Sequence, residues 1–213
     1  ALALDRCYGI SYDIAAFTNL TPEHLDFHKD MQDYFKAKAK LFWEYKVNKR
    51  VICIDDEWGK NLAEGCKERN LEYITVGRSD EADIHPNIVE LSPHGTHLEL
   101  ISPKGTISLH VPLIGSFNVQ NTLIAAGIAY QMKLNSEEIA HALEHTKQVP
   151  GRLERVGREY KEHVFVDYAH TADALEKAMQ AVNETGPNRL IVVFGCGGDR
   201  DKTKRAPMGK VAA

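Results

Sequence analysis

Helical stripes alternate with short β-branched runs along most of the chain, and this constrains the fold more than any single motif. Strands separated by helices long enough to cross back over them favour a layered α/β arrangement with parallel strands. Residues 14–17 read as a strand end, residues 50–54 (RVICI) as a buried strand and residues 72–76 as another, with a helix over 58–70. Thr21 and Pro22 read as the N-cap and first position of a helix. The character changes over 84–111, where HLELISPKGTISLHVPL predicts two alternating strands around a Pro103-Lys104-Gly105 hairpin. Gly115-Ser116 leads into a helix over 117–132, and Ser136 reads as the cap of another ending near His145. Gln148-Val149-Pro150-Gly151 is the predicted domain joint, giving domains 1–149 and 150–213. Beyond it come a strand at 163–166, a helix at 171–182, a strand at 189–194 and the loop Gly195-Cys196-Gly197-Gly198. That order predicts a βαβ unit beginning a second, doubly wound domain.

The chain's 213 residues suffice for one large or two modest domains. A net charge of −4 provides no basic field to draw it to nucleic acid or anionic lipid. No apolar run approaches a membrane span and no signal peptide is visible, so neither nucleic-acid binding nor membrane insertion is expected. Cys7, Cys53, Cys66 and Cys196 are scattered without metal-site spacing and read as free thiols of a reducing cytoplasm. The chain opens on ALALDRCYGI without Met and stops at MGKVAA inside an apparent helix, so a fragment of a longer protein is expected.

Six places carry chemistry. With residues 31–45 on a helix of about 3.6 residues per turn, Met31, Tyr34, Phe35, Leu41, Phe42 and Tyr45 crowd one face, Lys38 lies at its centre, and Lys36 and Lys40 point away. Desolvation there would favour a neutral amine, a nucleophile or a target of covalent modification, the alternative being a lysine that snorkels to water. His24 and His28 stand one helical turn apart, but Leu25 occupies the place where HExxH needs glutamate, which excludes a zinc-protease reading; capping is the plain alternative. Asn118 and Asn121 are i, i+3 neighbours able to hydrogen-bond a heterocycle edge or to cap their helix. Arg152, at the joint, suits a phosphate or a salt bridge with Glu154. Asp167 ends a strand and His170 opens a helix; the carboxylate suits a ribose hydroxyl, a metal-bound water or a cap. The loop at 195–198 permits close backbone approach but lacks GK[ST], and the charges after it form a carboxylate site or a solvated turn.

Taken in order, FTNLTPEHLDFH, YFKAKAKLF, GSFNVQNTLIAAGIA, GRLERV, VDYAHTADALEKAM and VFGCGGDRDKTKR closely resemble the Mur ligase family over essentially the whole chain. The resemblance implies part of a mostly parallel-sheet central ATPase domain with a small β-hairpin region, followed by the start of a Rossmann-like C-terminal domain. It also implies that an N-terminal domain, a phosphate-cradling loop and most of the C-terminal domain lie outside the chain, so the fragment alone is expected to be inactive. The implied activity is ATP-dependent amide formation in peptidoglycan synthesis. A diamino acid, meso-diaminopimelate rather than L-lysine, is added to a UDP-linked muramyl dipeptide through an acyl phosphate, with Mg²⁺ offsetting anionic repulsion. By the same resemblance Lys38 is carbamylated and, with His24, holds Mg²⁺. Asn118, Asn121, Arg152 and Asp167 hold ATP, while Arg6, His170, Arg200, Lys202 and Lys204 contact substrates. A cytoplasmic monomer is implied. Ala172 and Ala206 stand where the family usually has proline, and Leu4 replaces a polar residue of some relatives. The rivals are a sister amide ligase such as folylpolyglutamate synthetase and a nucleotide-binding module or Rossmann oxidoreductase. No GxGxxG opens a βαβ unit to support the last.

Overall fold

The computed structural model describes residues 2–22, 27–157, 161–197 and 202–213, with the side chains of Ile88 and Lys202 outside that description. The chain divides into two compact units. The first comprises Ala1–Ile88, Glu99–Ser108 and Gln120–Leu143; the second comprises Val89–Leu98, Leu109–Val119 and Glu144–Ala213.

The first unit is built on a parallel sheet. Strands β1 (Ser11–Phe17), β2 (Lys46–Cys53) and β3 (Ile74–Val76) lie in that order, Ser11 opposite Lys46 and Val51 opposite Ile74. Helix α1 (Met31–Trp43) connects the first pair and α2 (Glu57–Glu68) the second. The end of β2 and all of β3 are buried on both faces, as expected of parallel strands covered by helices. Ile52, Leu62 and Ala39 are fully buried in one core with Phe17, Tyr34, Phe35 and Phe42.

The helix start expected at Thr21 and the course expected of the following helix, α1, both differ from what the structure shows. Thr21 and Pro22 lie outside any helix, and residues 23–26 fall outside the described residues. Asp30 is the N-cap, its side chain accepting the Asp33 N–H at 2.8 Å, and Asp33 adds negative charge to the first turn. The helix stops at Trp43, so Tyr45 is not part of its stripe. The buried stripe is Tyr34, Phe35, Ala39 and Phe42, and Lys38 is exposed. A small alanine can be enclosed completely, whereas an ammonium on a four-carbon stem reaches water at little cost. The desolvation expected at Lys38 is therefore absent from this fold. The buried cation is Arg50, 4% exposed, whose Nε donates to the Phe42 carbonyl at 2.8 Å and satisfies the C-terminal end of α1.

Helix α2 is capped by Asp56, which accepts the Gly59 N–H at 2.7 Å and, through its other oxygen, the Leu20 N–H at 3.1 Å. Gly59 is required there because a Cβ would collide with the Cys53 carbonyl.

Strands β4 (His85–Ser92), β5 (Gly95–Ser102) and β6 (Gly105–Val111) form a second sheet in that order, where two strands were expected. Pro86 obscured β4, an edge strand that tolerates the missing donor. The two-residue turns share one clamp. Ser92 donates to the Gly95 carbonyl and accepts the His94 N–H; Ser102 does the same with Gly105 and Lys104. Helices α3 (Ser116–Gln131) and α4 (Ser136–Glu144) follow. The cap of α4 is Asn135 rather than Ser136. Glu138 N–H donates to Asn135 Oδ1 and Asn135 N–H donates to Glu138 Oε2, a reciprocal capping box.

In the second unit, β7 (Glu154–Val156) and β8 (Val164–Val166) pair antiparallel, with Arg155 opposite Phe165. Helix α5 (Ala172–Asn183) is capped by Thr171, and α6 (Arg205–Ala212) closes the chain. Ile114, Leu153 and Ala181 form a small core with Phe165, Ala178 and Val182. The strand expected at 189–194 does not form. Ile191 is 67% and Val193 94% exposed, and among the described residues nothing pairs with this run. An apolar run becomes a strand only when a neighbour takes its backbone hydrogen bonds.

Candidate active site

The turn at 151–153 is the most tightly organised of the predicted positions. Gly151 has φ +67° and Leu153 φ +44°, so the chain enters the left-handed region twice. Glycine does so freely, whereas leucine must be held there. Leu153 is held by its buried side chain and by its N–H, which donates to Asp167 Oδ2 at 2.9 Å. Asp167 Oδ1 accepts the Ala169 N–H at 2.8 Å, Glu154 Oε2 accepts the Gly151 N–H at 2.9 Å, and Tyr168 N–H donates to the Gly151 carbonyl at 2.8 Å.

This network decides two alternatives left open by the sequence. Glu154 accepts the Gly151 N–H, and no ion pair joins it to Arg152. Asp167 fastens the 151–153 turn, and the cap of α5 is Thr171. Arg152 is exposed, and no ion pair to it occurs among the described residues. A guanidinium on a clamped turn, with no carboxylate neutralising it, is suited to a phosphate.

His170 is exposed beside the Tyr168 ring, centroids 5.5 Å apart. Its Nδ1 lies 3.1 Å from the Tyr168 carbonyl. A carbonyl only accepts, so Nδ1 carries the proton and Nε2 is the nitrogen left to meet a ligand. Asn118 is buried, its Nδ2 donating to the Ile114 carbonyl at 2.9 Å. Ser116 at the start of α3 is fastened by Glu184, which accepts from its N–H at 2.8 Å and its hydroxyl at 2.9 Å. No motif had singled out Glu184. Lys204 is half-buried at the N-cap position of α6. Arg200 and the Lys202 side chain lie outside the described residues.

In the first unit, Arg6 is exposed in the turn before β1 and Asn121 is exposed on α3. Lys38 Nζ sits 5.3 Å from the centroid of the Tyr34 ring. His24 lies outside the described residues. His28, paired with it in the sequence, is buried, with Nδ1 3.0 Å from Asp33 Oδ2 and its ring stacked on Tyr34 at 4.8 Å. That bond holds the Asp33 carboxyl below the usual carboxylate range. The signal for it was a histidine and an aspartate flanking the helix start.

A depression of about 520 Å³ opens at the C-terminal ends of β2 and β3, where parallel sheets commonly bind ligands. Its polar groups satisfy one another. Asp55 accepts the Arg78 N–H at 2.6 Å and Gln120 Nε2 at 3.3 Å, and Lys60 pairs with Glu81 at 3.3 Å. Gln120 also donates to Cys53 Sγ, and burial pushes that thiol up to about 11. None of the predicted site residues lines it.

Among the described residues no three histidine, cysteine or carboxylate side chains are grouped to hold a metal ion. An unmodified lysine offers no anionic oxygen to a hard cation, so a Mg²⁺ site at Lys38 requires its carbamate form.

Residues 1–129 match the Mur ligase middle domain and residues 151–213 the Mur ligase glutamate ligase domain. The chain is 45% identical over 215 residues to the UDP-N-acetylmuramoyl-L-alanyl-D-glutamate--2,6-diaminopimelate ligase of Gloeobacter violaceus, covering 100% of this chain and 43% of that protein. A solved structure of a ligase with that name superposes with TM-score 0.81 at 31% identity, over 99% of this chain and 44% of the other. Folylpolyglutamate synthase of Mycobacterium tuberculosis shares the fold at TM-score 0.64 and 19% identity, over 81% of this chain and 39% of the other. The chain thus spans less than half the length of the relatives it matches. With its middle-domain match covering more than half of its residues, the chain belongs to the Mur ligase family.

Proposed function

We propose that the full-length protein is an ATP-dependent ligase that joins meso-diaminopimelate to UDP-N-acetylmuramoyl-L-alanyl-D-glutamate. The observation that carries this is the 45% identity, across the whole chain, to a ligase named for that reaction. The substrate carboxylate attacks the γ-phosphorus of ATP, and ADP leaves. The amine of the diamino acid then attacks the acyl carbon, inorganic phosphate leaves, and the amine gives up a proton as the amide forms. Both steps bring anions together, so cations at fixed positions lower the barrier.

Arg152 is the clearest such cation in the second unit, held by the Asp167 and Glu154 clamps on its turn. Asp167 keeps spare lone pairs for a ribose hydroxyl, and His170 contributes Nε2 as the nitrogen to meet the substrate. Asn118 and Asn121 serve the adenine. Arg6, Arg200, Lys202 and Lys204 take the substrate's anionic groups. Mg²⁺ supplies further positive charge when bound, and carbamylated Lys38 with His24 would hold it. In this proposal, residues 1–149 belong to the ATPase domain and residues 150–213 begin the C-terminal domain of a cytoplasmic monomer.

The test is ADP release by the full-length protein. Release should require both the UDP-linked dipeptide and the diamino acid, and meso-diaminopimelate should outpace L-lysine. Release supported instead by a folate and glutamate would overturn the assignment.

A further inference from the structure

Glu184 is the C-terminal cap residue of α5, a place where the helix dipole disfavours a carboxylate. Both of its oxygens serve another helix. Oε2 accepts the Ser116 N–H at 2.8 Å and Oε1 accepts the Ser116 hydroxyl at 2.9 Å. The carboxylate therefore caps the N-terminus of α3, where the dipole favours it. Gln180 Nε2 donates to Oε1 at 3.3 Å and steadies it from its own helix. Ser116 falls within the middle-domain match and Glu184 within the glutamate ligase domain match, so this bond ties one to the other.

Packing reinforces the tie. Gly115, with φ +89°, lies so close to α5 that a Cβ there would stand 2.6 Å from the Ala181 Cβ. Ile114 and Ala181 are buried in one small core with Leu153. Residues 114 and 115 in turn hold Asn118. Its N–H donates to the Gly115 carbonyl at 2.9 Å, and its Nδ2 donates to the Ile114 carbonyl at 2.9 Å. In the same core, Leu153 belongs to the turn that carries Arg152, and its N–H donates to Asp167. Helix α5 thus supports the residues assigned above to adenine, ribose and phosphate.

Three contacts on one nucleotide act together only when their spacing matches it, and a spacing fixed before binding lowers the ordering cost. Without the carboxylate, two donors at the start of α3 lose their acceptor while the core beneath them remains. The first turn of α3 then frays, and the Asn118 amide loses its fixed place.

We infer that Glu184 is a positioning residue for the adenine side of the nucleotide site, fastening the first turn of α3 to α5 and so setting where the Asn118 amide meets the base. This rests on the reading of Asn118 as an adenine contact. Adenine offers an N6 donor beside an N7 acceptor, which an amide matches with its own acceptor and donor. Hypoxanthine carries a carbonyl in place of the N6 amine and breaks the match. Preference for ATP over ITP therefore reports the placement of the amide. Being a ratio within one sample, it is indifferent to the fraction of protein folded.

The test measures kcat/KM of the full-length protein for ATP and for ITP, with the other two substrates saturating. The wild type should prefer ATP, and Asn118→Ala should lose that preference. Glu184→Ala should lose it about tenfold, through a higher KM for ATP with kcat within about twofold. Glu184→Gln, which keeps an acceptor oxygen, should retain most of it. Ser116→Ala, which keeps the N–H, should lose about threefold. The double variant Glu184→Ala/Asn118→Ala should lose no more than Asn118→Ala alone, because Glu184 acts through Asn118. A preference that survives in Glu184→Ala while Asn118→Ala abolishes it overturns the inference and leaves the nucleotide site standing. Should Glu184→Ala not fold, an unmoved preference in Ser116→Ala overturns it equally. If Asn118→Ala keeps the wild-type preference, the adenine reading itself fails and the inference falls with it.

Discussion

The two halves of the chain treat apolar sequence in opposite ways. In the first unit, Val51, Ile52 and Val76 lie in paired parallel strands and are completely buried. In the second, the comparably apolar run at 189–194 leaves Val193 94% exposed, and no strand forms. Composition does not separate them. RVICI is enclosed because β1 and β3 take its hydrogen bonds and two helices cover it, whereas the later run has no ladder among the described residues. The lesson is that strand propensity is realised through pairing, and pairing is a property of the surroundings.

The largest effect expected from this contrast is on stability. Leu62→Ala should lower the stability of the first unit by about 3 kcal/mol, because Leu62 is fully buried and its loss leaves a cavity. Ile191→Ala, at an exposed site of the second unit, should change the stability of that unit by less than about 0.5 kcal/mol. Urea unfolding followed by tryptophan fluorescence reads the first unit, since Trp43 and Trp58 both pack on its core, and the same titration followed by tyrosine fluorescence and far-UV circular dichroism reads the second. Equal costs for the two changes would break the comparison.

Next comes the Asp56 cap, which serves two backbone amides from different segments. Asp56→Ala should destabilise the same unit by about 1–2 kcal/mol in the same assay. Asp56→Asn should recover part of this, because an amide oxygen still accepts.

A smaller effect is confined to acid. The Asp33 carboxyl is held below its usual range, first by the His28 hydrogen bond and further by the Lys29 amide and the Lys36 charge. Between the folded and unfolded values the unfolded chain binds more protons, so stability falls as pH falls. The contribution is present above about pH 4 and is lost as pH drops through the lower folded value. Asp33→Asn should flatten this acid limb of the unfolding curve and leave the slope above pH 6 unchanged.

Much of the first unit was legible because each helix and strand carries its own period. The parallel strands and α2 lie close to where the pattern put them. What the pattern could not deliver was the choice between similar neighbours. Lys38 and Ala39 are adjacent, and the wheel put the lysine at the centre of a stripe whose enclosed member is the alanine. Asn135 took the cap assigned to Ser136 because Glu138 reciprocates with it. In the candidate site, the motifs singled out Arg152 and Asp167 but not their relation. That relation is a backbone turn held by carboxylates, and it depends on the left-handed φ of Leu153. Glu184 and the Asp33–His28–Tyr34 contacts were missed for the same reason, since their partners follow from the folded path of the chain.

The central claim is that the clamped 151–153 turn presents Arg152 to a nucleotide phosphate. Titration of the full-length protein with a fluorescent ATP analogue tests it. Arg152→Gln should raise Kd about tenfold or more through loss of a charge-assisted contact, while Arg155→Gln, on the neighbouring strand, should change it less than about twofold. Unchanged nucleotide affinity in Arg152→Gln would contradict the account.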